Sequence, residues 1–91
     1  MDKIRYILTS SDEHEQRIKA MEEAAELIQA ISKIDSNKTY KTLENLISEI
    51  ADVTIMMEQL LYMYNITEDR LLEEVNYKID RQIQRIKSKE V

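Results

Sequence analysis

Two acidic pairs stand out in this chain of 91 residues. In Met21-Glu22-Glu23-Ala24-Ala25-Glu26-Leu27, Glu23 and Glu26 are three apart, and Glu49 and Asp52 repeat that spacing in Glu49-Ile50-Ala51-Asp52-Val53. Side chains three or four apart share one face of an α-helix, so each pair presents two carboxylates side by side. Their neighbours are apolar (Met21, Leu27, Ile50, Val53) or small (Ala24, Ala25, Ala51), and the small ones allow close approach of backbones. If the two segments pack antiparallel, four carboxylates converge in a half-buried cleft and repel unless a cation compensates them. Oxygen ligands suit a hard divalent ion, Mg²⁺ with Mn²⁺ as its substitute, which keeps waters and bridges to phosphates. Such an ion polarises a phosphoryl oxygen and acidifies bound water, so the implied chemistry is hydrolysis of a phosphoanhydride. The plain alternative is two solvated helix faces carrying ordinary salt bridges. Asp12 and Glu15 repeat the spacing in a purely polar stretch, so spacing alone leaves both readings open.

The elements that must position these acids are helices. The chain has no Gly and no Pro, and is rich in Glu, Lys, Leu, Ile, Ala and Gln, so strong helix formers meet no strong helix breaker. An all-α fold in a single domain, residues 1–91, follows; so small a chain buries little surface alone. Net charge is −5, from 18 acids and 13 bases, which argues against a nucleic-acid binder working by phosphate neutralisation. A nucleotide substrate remains compatible, because a divalent ion can bridge acids to phosphates. There is no Cys for thiolate chemistry, and no apolar run approaches the roughly 20 residues of a membrane span. With too short an apolar stretch at Met1 to Leu8 for a signal peptide, the expected setting is soluble and cytoplasmic, with no membrane partner.

Along the chain, Ser10 and Glu13 form a capping-box pattern from which a first long helix is expected to start. Ile18, Met21, Ala25 and Ile28, with Ala24, Leu27, Ile31 and Ile34, supply its apolar face. Residues 35–39 are polar and rich in cap formers, and read as a loop. A second helix runs from about Thr39 to Tyr64, with a seam at Leu43, Leu46/Ile47, Ile50, Val53/Thr54, Met57, Leu60/Leu61 and Tyr64. From Leu43 to Tyr64 it spans about 33 Å, apolar nearly all round, and so calls for cover from other subunits, a homodimer or homotetramer. Asn65-Ile66-Thr67 is the next break, with Thr67 as cap. A third helix carries Leu71/Leu72, Val75, Ile79, Ile83 and Ile86 and ends in a basic tail.

With the elements in this order, Glu22-Glu23-Ala24-Ala25-Glu26, 22 intervening residues and Glu49-Ile50-Ala51-Asp52 resemble the EExxE…ExxD signature of the MazG-like, all-α nucleoside triphosphate pyrophosphohydrolase superfamily. Gln16 stands where members often carry Gln, and Asn76-Tyr77-Lys78-Ile79-Asp80-Arg81 resembles the family's N-x-K-x-x-R segment. The resemblance covers roughly Gln16 to Arg85. It implies a helical bundle completed by oligomerisation and Mg²⁺-dependent cleavage between the α and β phosphates, giving a nucleoside monophosphate and pyrophosphate. Carried over by position, Glu23, Glu26, Glu49 and Asp52 match the metal ligands, and Glu22 matches the acid that orients or deprotonates the attacking water. Gln16, Asn76, Lys78 and Arg81 match substrate-binding positions. A second reading of Lys78 and Arg81 is a basic helix end that complements the dipole. Gln82 departs from the family pattern, where a second Arg is expected, and the chain is too short for the extra loops of longer relatives.

The resemblance leaves two enzymatic substrates open, nucleoside triphosphates for nucleotide-pool house-cleaning and phosphoribosyl-ATP. A third reading is a non-catalytic helical module for oligomerisation or partner binding. His14, alone in a polar stretch, reads as a surface histidine. Tyr40, Tyr62 and Tyr64 read as packing residues, with base stacking as their alternative. With no Gly, a phosphate-binding glycine loop is excluded.

Overall fold

The structure, a computed structural model, describes residues 2–89. Met1, Glu90 and Val91, which the single-domain reading and the basic tail include, lie outside the described residues. Four helices follow in order: α1 (Asp2–Leu8), α2 (Glu13–Ser36), α3 (Tyr40–Met63) and α4 (Glu68–Lys89), with no strand among the described residues. The fold is all-helical, as the missing helix breakers require.

Local chemistry sets each boundary. Asp12 caps α2, its carboxylate accepting from the Glu15 backbone N–H at 2.8 Å, which holds the Asp12 carboxyl below its ordinary pKa. Ser10, expected as that cap, instead donates its hydroxyl to the Ile7 carbonyl at 2.6 Å. The opening segment is helical up to Leu8, so Ser10 closes α1 and the next acceptor, Asp12, opens α2. Thr39 and Thr42 form a reciprocal capping box at the start of α3. The Thr67 hydroxyl accepts from the Arg70 N–H at the start of α4. Between α3 and α4 the chain turns through Asn65 at φ 54. The Asn65 and Ile66 N–H groups donate to the Tyr62 and Leu61 carbonyls, a Schellman closure with Asn in the left-handed place usually given to Gly.

The loop between α2 and α3 has three residues, so the two long helices lie antiparallel, and they pack along their length. The α2 stripe turned inward is Gln16, Ala20, Glu23, Leu27, Ala30 and Ile34, stepping by four and three. On α3 the stripe is Leu46, Glu49, Val53, Met56, Leu60 and Met63. This corrects the expected face of α2 in part: Leu27 and Ile34 turn inward as expected, but the rest of that face does not. Ile18, Met21, Ile28 and Ile31 are exposed, and so are Ile47, Ile50 and Met57 on α3. The inward stripe of α2 holds small Ala20 and Ala30, which let the backbones approach, beside Leu27 and Ile34; bulky Ile18, Met21, Ile28 and Ile31 are left outside. The short α1 rests against α3 through Arg5, whose guanidinium donates to the Tyr62 hydroxyl and lies over that ring, 5.1 Å from its centroid. Arg17 reaches the Tyr64 hydroxyl at 3.2 Å, so these tyrosines tie helices together.

Among the described residues, α4 makes no extended packing with any other helix. Its stripe of Leu72, Val75, Ile79, Ile83 and Ile86 faces solvent. The consequence shows in the dimensions. A compact chain of this mass exposes about 5,500 Å², against 7575 Å² here. The radius of gyration is 16.7 Å, where about 12 Å is usual for this length. No described helix is long and apolar enough to cross a membrane.

Candidate metal centre

Glu23 and Glu49 occupy inward positions of the α2–α3 seam, where the heptad rhythm calls for apolar side chains. Glu26 and Asp52 stand one turn further along the same helices, at the edge of the seam. The antiparallel arrangement brings the pairs together: one carboxylate oxygen from each of Glu23, Glu26, Glu49 and Asp52 lies within 4.8 Å of all the others. The four acids singled out by spacing therefore form one cluster, shielded on the helix-facing side and open on the other.

The electrostatics of that cluster are unfavourable as it stands. Glu23 is 7% exposed; its Oε1 accepts from Lys19 Nζ at 3.0 Å, while its Oε2 is buried without a hydrogen-bond partner. Glu49 Oε2 is likewise buried and unpartnered. Burial pushes the Glu49 carboxyl above the ordinary carboxylate range, and the neighbouring charges of Glu26, Asp52 and Glu23 push it the same way. Buried carboxylate oxygens without donors are rare because each forfeits its hydration. A hard cation would satisfy all four. Oxygens on opposite sides of a bound Mg²⁺ are about 4 Å apart, and about 5 Å apart for a larger ion such as Ca²⁺, so the observed spread of 4.8 Å fits one ion with little contraction.

Beside the cluster a cleft of about 420 Å³ opens between α1, α2 and α3. Glu23 and Asp52 form its acidic wall, Ile7, Ile55 and Met56 its apolar wall, and Glu15, Gln16, Lys19 and Gln59 add polar groups. Gln16, matched to a substrate-binding position, is buried here and donates its amide to the Ser11 hydroxyl. Glu22, matched to the catalytic acid, is exposed and outside the converging four. Asn76, Lys78 and Arg81 are not brought to the acids within the chain. They stand on exposed α4, where Arg81 lies over the Tyr77 ring at 5.9 Å, and none lines the cleft. His14 is exposed.

Four contributors escaped the reading of the sequence. Lys19 is one helical turn before Glu23 and therefore on its face, a signal the i,i+4 rule offers. Gln59 is 8% exposed, seven residues after Asp52, and so on the same face of α3 two turns on. Ile7 and Ser11 line the cleft only because α1 folds back on α3, which no local pattern announces.

No family model matches this chain, and neither the curated proteins nor the solved structures give a significant match to it.

Proposed function

We propose that the protein is a Mg²⁺-dependent nucleoside triphosphate pyrophosphohydrolase of MazG-like type, working as a homo-oligomer. The observation that carries this reading is the four-carboxylate cluster with two buried, unpartnered oxygens, Glu23 Oε2 and Glu49 Oε2. The same acids carry the sequence resemblance, so geometry and motif support one reading from separate directions. Glu23, Glu26, Glu49 and Asp52 would hold the ion, which supplies Lewis acidity and a seat for triphosphate oxygens when bound. In the overall reaction a water oxygen bonds to the α phosphorus, and the bond from that phosphorus to the α–β bridging oxygen breaks. The bridging oxygen leaves with pyrophosphate, and a carboxylate takes the water's proton; the resemblance assigns that role to Glu22. The cleft beside the acids, apolar on one wall and amide-bearing on the other, supports a nucleoside as the remainder of the substrate.

Self-association belongs to this reading. The surface in excess of a compact monomer, roughly 2,000 Å², is of the size that one subunit gives up in a large obligate interface. Exposed large apolar side chains run along α2, α3 and α4. Lys78 and Arg81 would then reach a triphosphate only from a neighbouring copy. The same stripes favour a second reading, a helical oligomerisation module without catalysis.

Incubating the purified protein with Mg²⁺ and a panel of nucleotides, phosphoribosyl-ATP included, tests the proposal. Release of pyrophosphate with the matching monophosphate is expected from at least one substrate. Silence across the panel would favour the module.

A further inference from the structure

The cleft presents a difficulty for an anionic substrate. Its polar wall holds three carboxylates, Glu15, Glu23 and Asp52, and among the described residues lining it Lys19 is the one cation. Lys78 and Arg81 stand elsewhere, on α4. A phosphate chain entering beside Glu23 therefore meets repulsion that, among the described side chains lining the cleft, Lys19 alone offsets.

Lys19 is also unusually placed. It pairs with Glu23 Oε1 at 3.0 Å, but Lys precedes Glu by four residues, the order that favours an isolated helix less. The partners differ sharply in setting: the Lys19 side chain is 63% exposed and that of Glu23 is 9% exposed. A long, exposed cation thus lies across a buried carboxylate whose second oxygen has no partner. Any divalent ion held by Glu23 adds a second positive charge next to Nζ, and the two repel. The Lys19 stem is anchored on α2 and free at its tip, so Nζ has somewhere to go, the adjoining cleft.

We propose that Lys19 serves two partners in turn, acting as counter-ion to Glu23 in the metal-free protein and as ligand to the phosphate chain once a divalent ion occupies the acids. The inference rests on the metal-site reading above and adds to it a phosphate-binding residue on the same helix as two of the acids. It gives Lys19 opposite effects on two ligands, which an ordinary surface salt bridge does not have. Competition with Lys19 weakens the metal; attraction by Lys19 strengthens the phosphate.

The test is calorimetric titration of the intact protein with Mn²⁺, and then of the Mn²⁺-saturated protein with pyrophosphate, for wild type, Lys19→Gln and Lys19→Arg. With the cation removed, Lys19→Gln is expected to bind Mn²⁺ about threefold tighter. Loss of one charge-assisted contact should weaken its pyrophosphate affinity about tenfold or more. Lys19→Arg should restore most of the pyrophosphate affinity. Lys19 is exposed, so circular dichroism should show unchanged helix in both variants. If wild type binds Mn²⁺ and Lys19→Gln leaves pyrophosphate affinity unchanged, Lys19 is a helix salt bridge and the inference is overturned while the metal site stands. If Lys19→Gln weakens Mn²⁺, the counter-ion role is overturned. If wild type binds no Mn²⁺, the metal-site reading falls, and the inference with it.

Discussion

Two stripes of the same heptad rhythm meet opposite fates in this molecule. The α2–α3 seam has a partner along its length yet carries Glu23 and Glu49 at inward positions. The α4 stripe of Leu72, Val75, Ile79, Ile83 and Ile86 is apolar throughout yet faces water. Were stability the only requirement, the apolar stripe would be the buried one, because each fully buried Ile or Leu contributes about 1.5–3 kcal/mol and a buried unpaired carboxylate costs free energy. The contrast separates two demands. The seam gives up packing where it brings carboxylates together, and the apolar surface that could offset this lies uncovered on α4 and on the outer faces of α2 and α3. On the proposed reading, a second copy supplies that cover and an ion supplies the missing charge.

The largest expected effect comes from spoiling the apolar stripe. Ile79→Asp with Ile83→Asp should convert an oligomer into a monomer by analytical ultracentrifugation, with loss of about 3–6 kcal/mol of the assembled protein's stability. A wild-type chain that sediments as a monomer and still melts cooperatively would remove the reason for the contrast. Next comes the charge at the seam. Mg²⁺ or Mn²⁺ at a hundred times its dissociation constant should stabilise the fold by about 2.7 kcal/mol, read as a rise in melting temperature, and Glu23→Gln should abolish most of that rise. A melting curve indifferent to divalent ions in wild type would make the acids structural.

The smallest effect is on pH dependence without metal. The folded Glu49 carboxyl titrates above its unfolded value of 4.5, so the folded state holds this proton longer. Its favourable contribution is therefore complete below pH 4.5, and is lost as pH rises through the raised folded value. Glu49→Gln should flatten that part of the metal-free stability profile and leave the variant more stable than wild type at neutral pH. Asp12, held low by its cap hydrogen bond, acts in the opposite sense, so the difference between the two profiles is the quantity to measure.

Much of this was legible in the residues. The absence of Gly and Pro gave an all-helical chain, and the polar segments at 35–39 and 65–67 marked the breaks between the long helices, though α2 runs on through Asp35 and Ser36. The three-residue spacing of Glu23/Glu26 and Glu49/Asp52 marked the acids that converge. Illegible was which face of α2 turns inward. Ile18, Met21 and Ile28 form a better apolar face than Gln16, Ala20 and Glu23, and a rule that ranks faces by hydrophobicity selects the wrong one for the intrachain seam. Ser10 misled for a local reason: two adjacent helices compete for the same cap residues, and the sequence does not show which one takes each.

Helix content, helix order and the pairing of acids by turn are short-range properties, fixed by propensity, capping and the 3.6-residue repeat, and so are present in the chain before it folds. The meeting of the two acid pairs, the burial that leaves Glu23 Oε2 and Glu49 Oε2 without partners, the cleft closed by α1 and the isolation of α4 are long-range properties. They depend on how rods of fixed length are set against one another: the three-residue turn lays α2 along α3, whereas the four-residue turn at 64–67 leaves α4 without extended packing among the described residues.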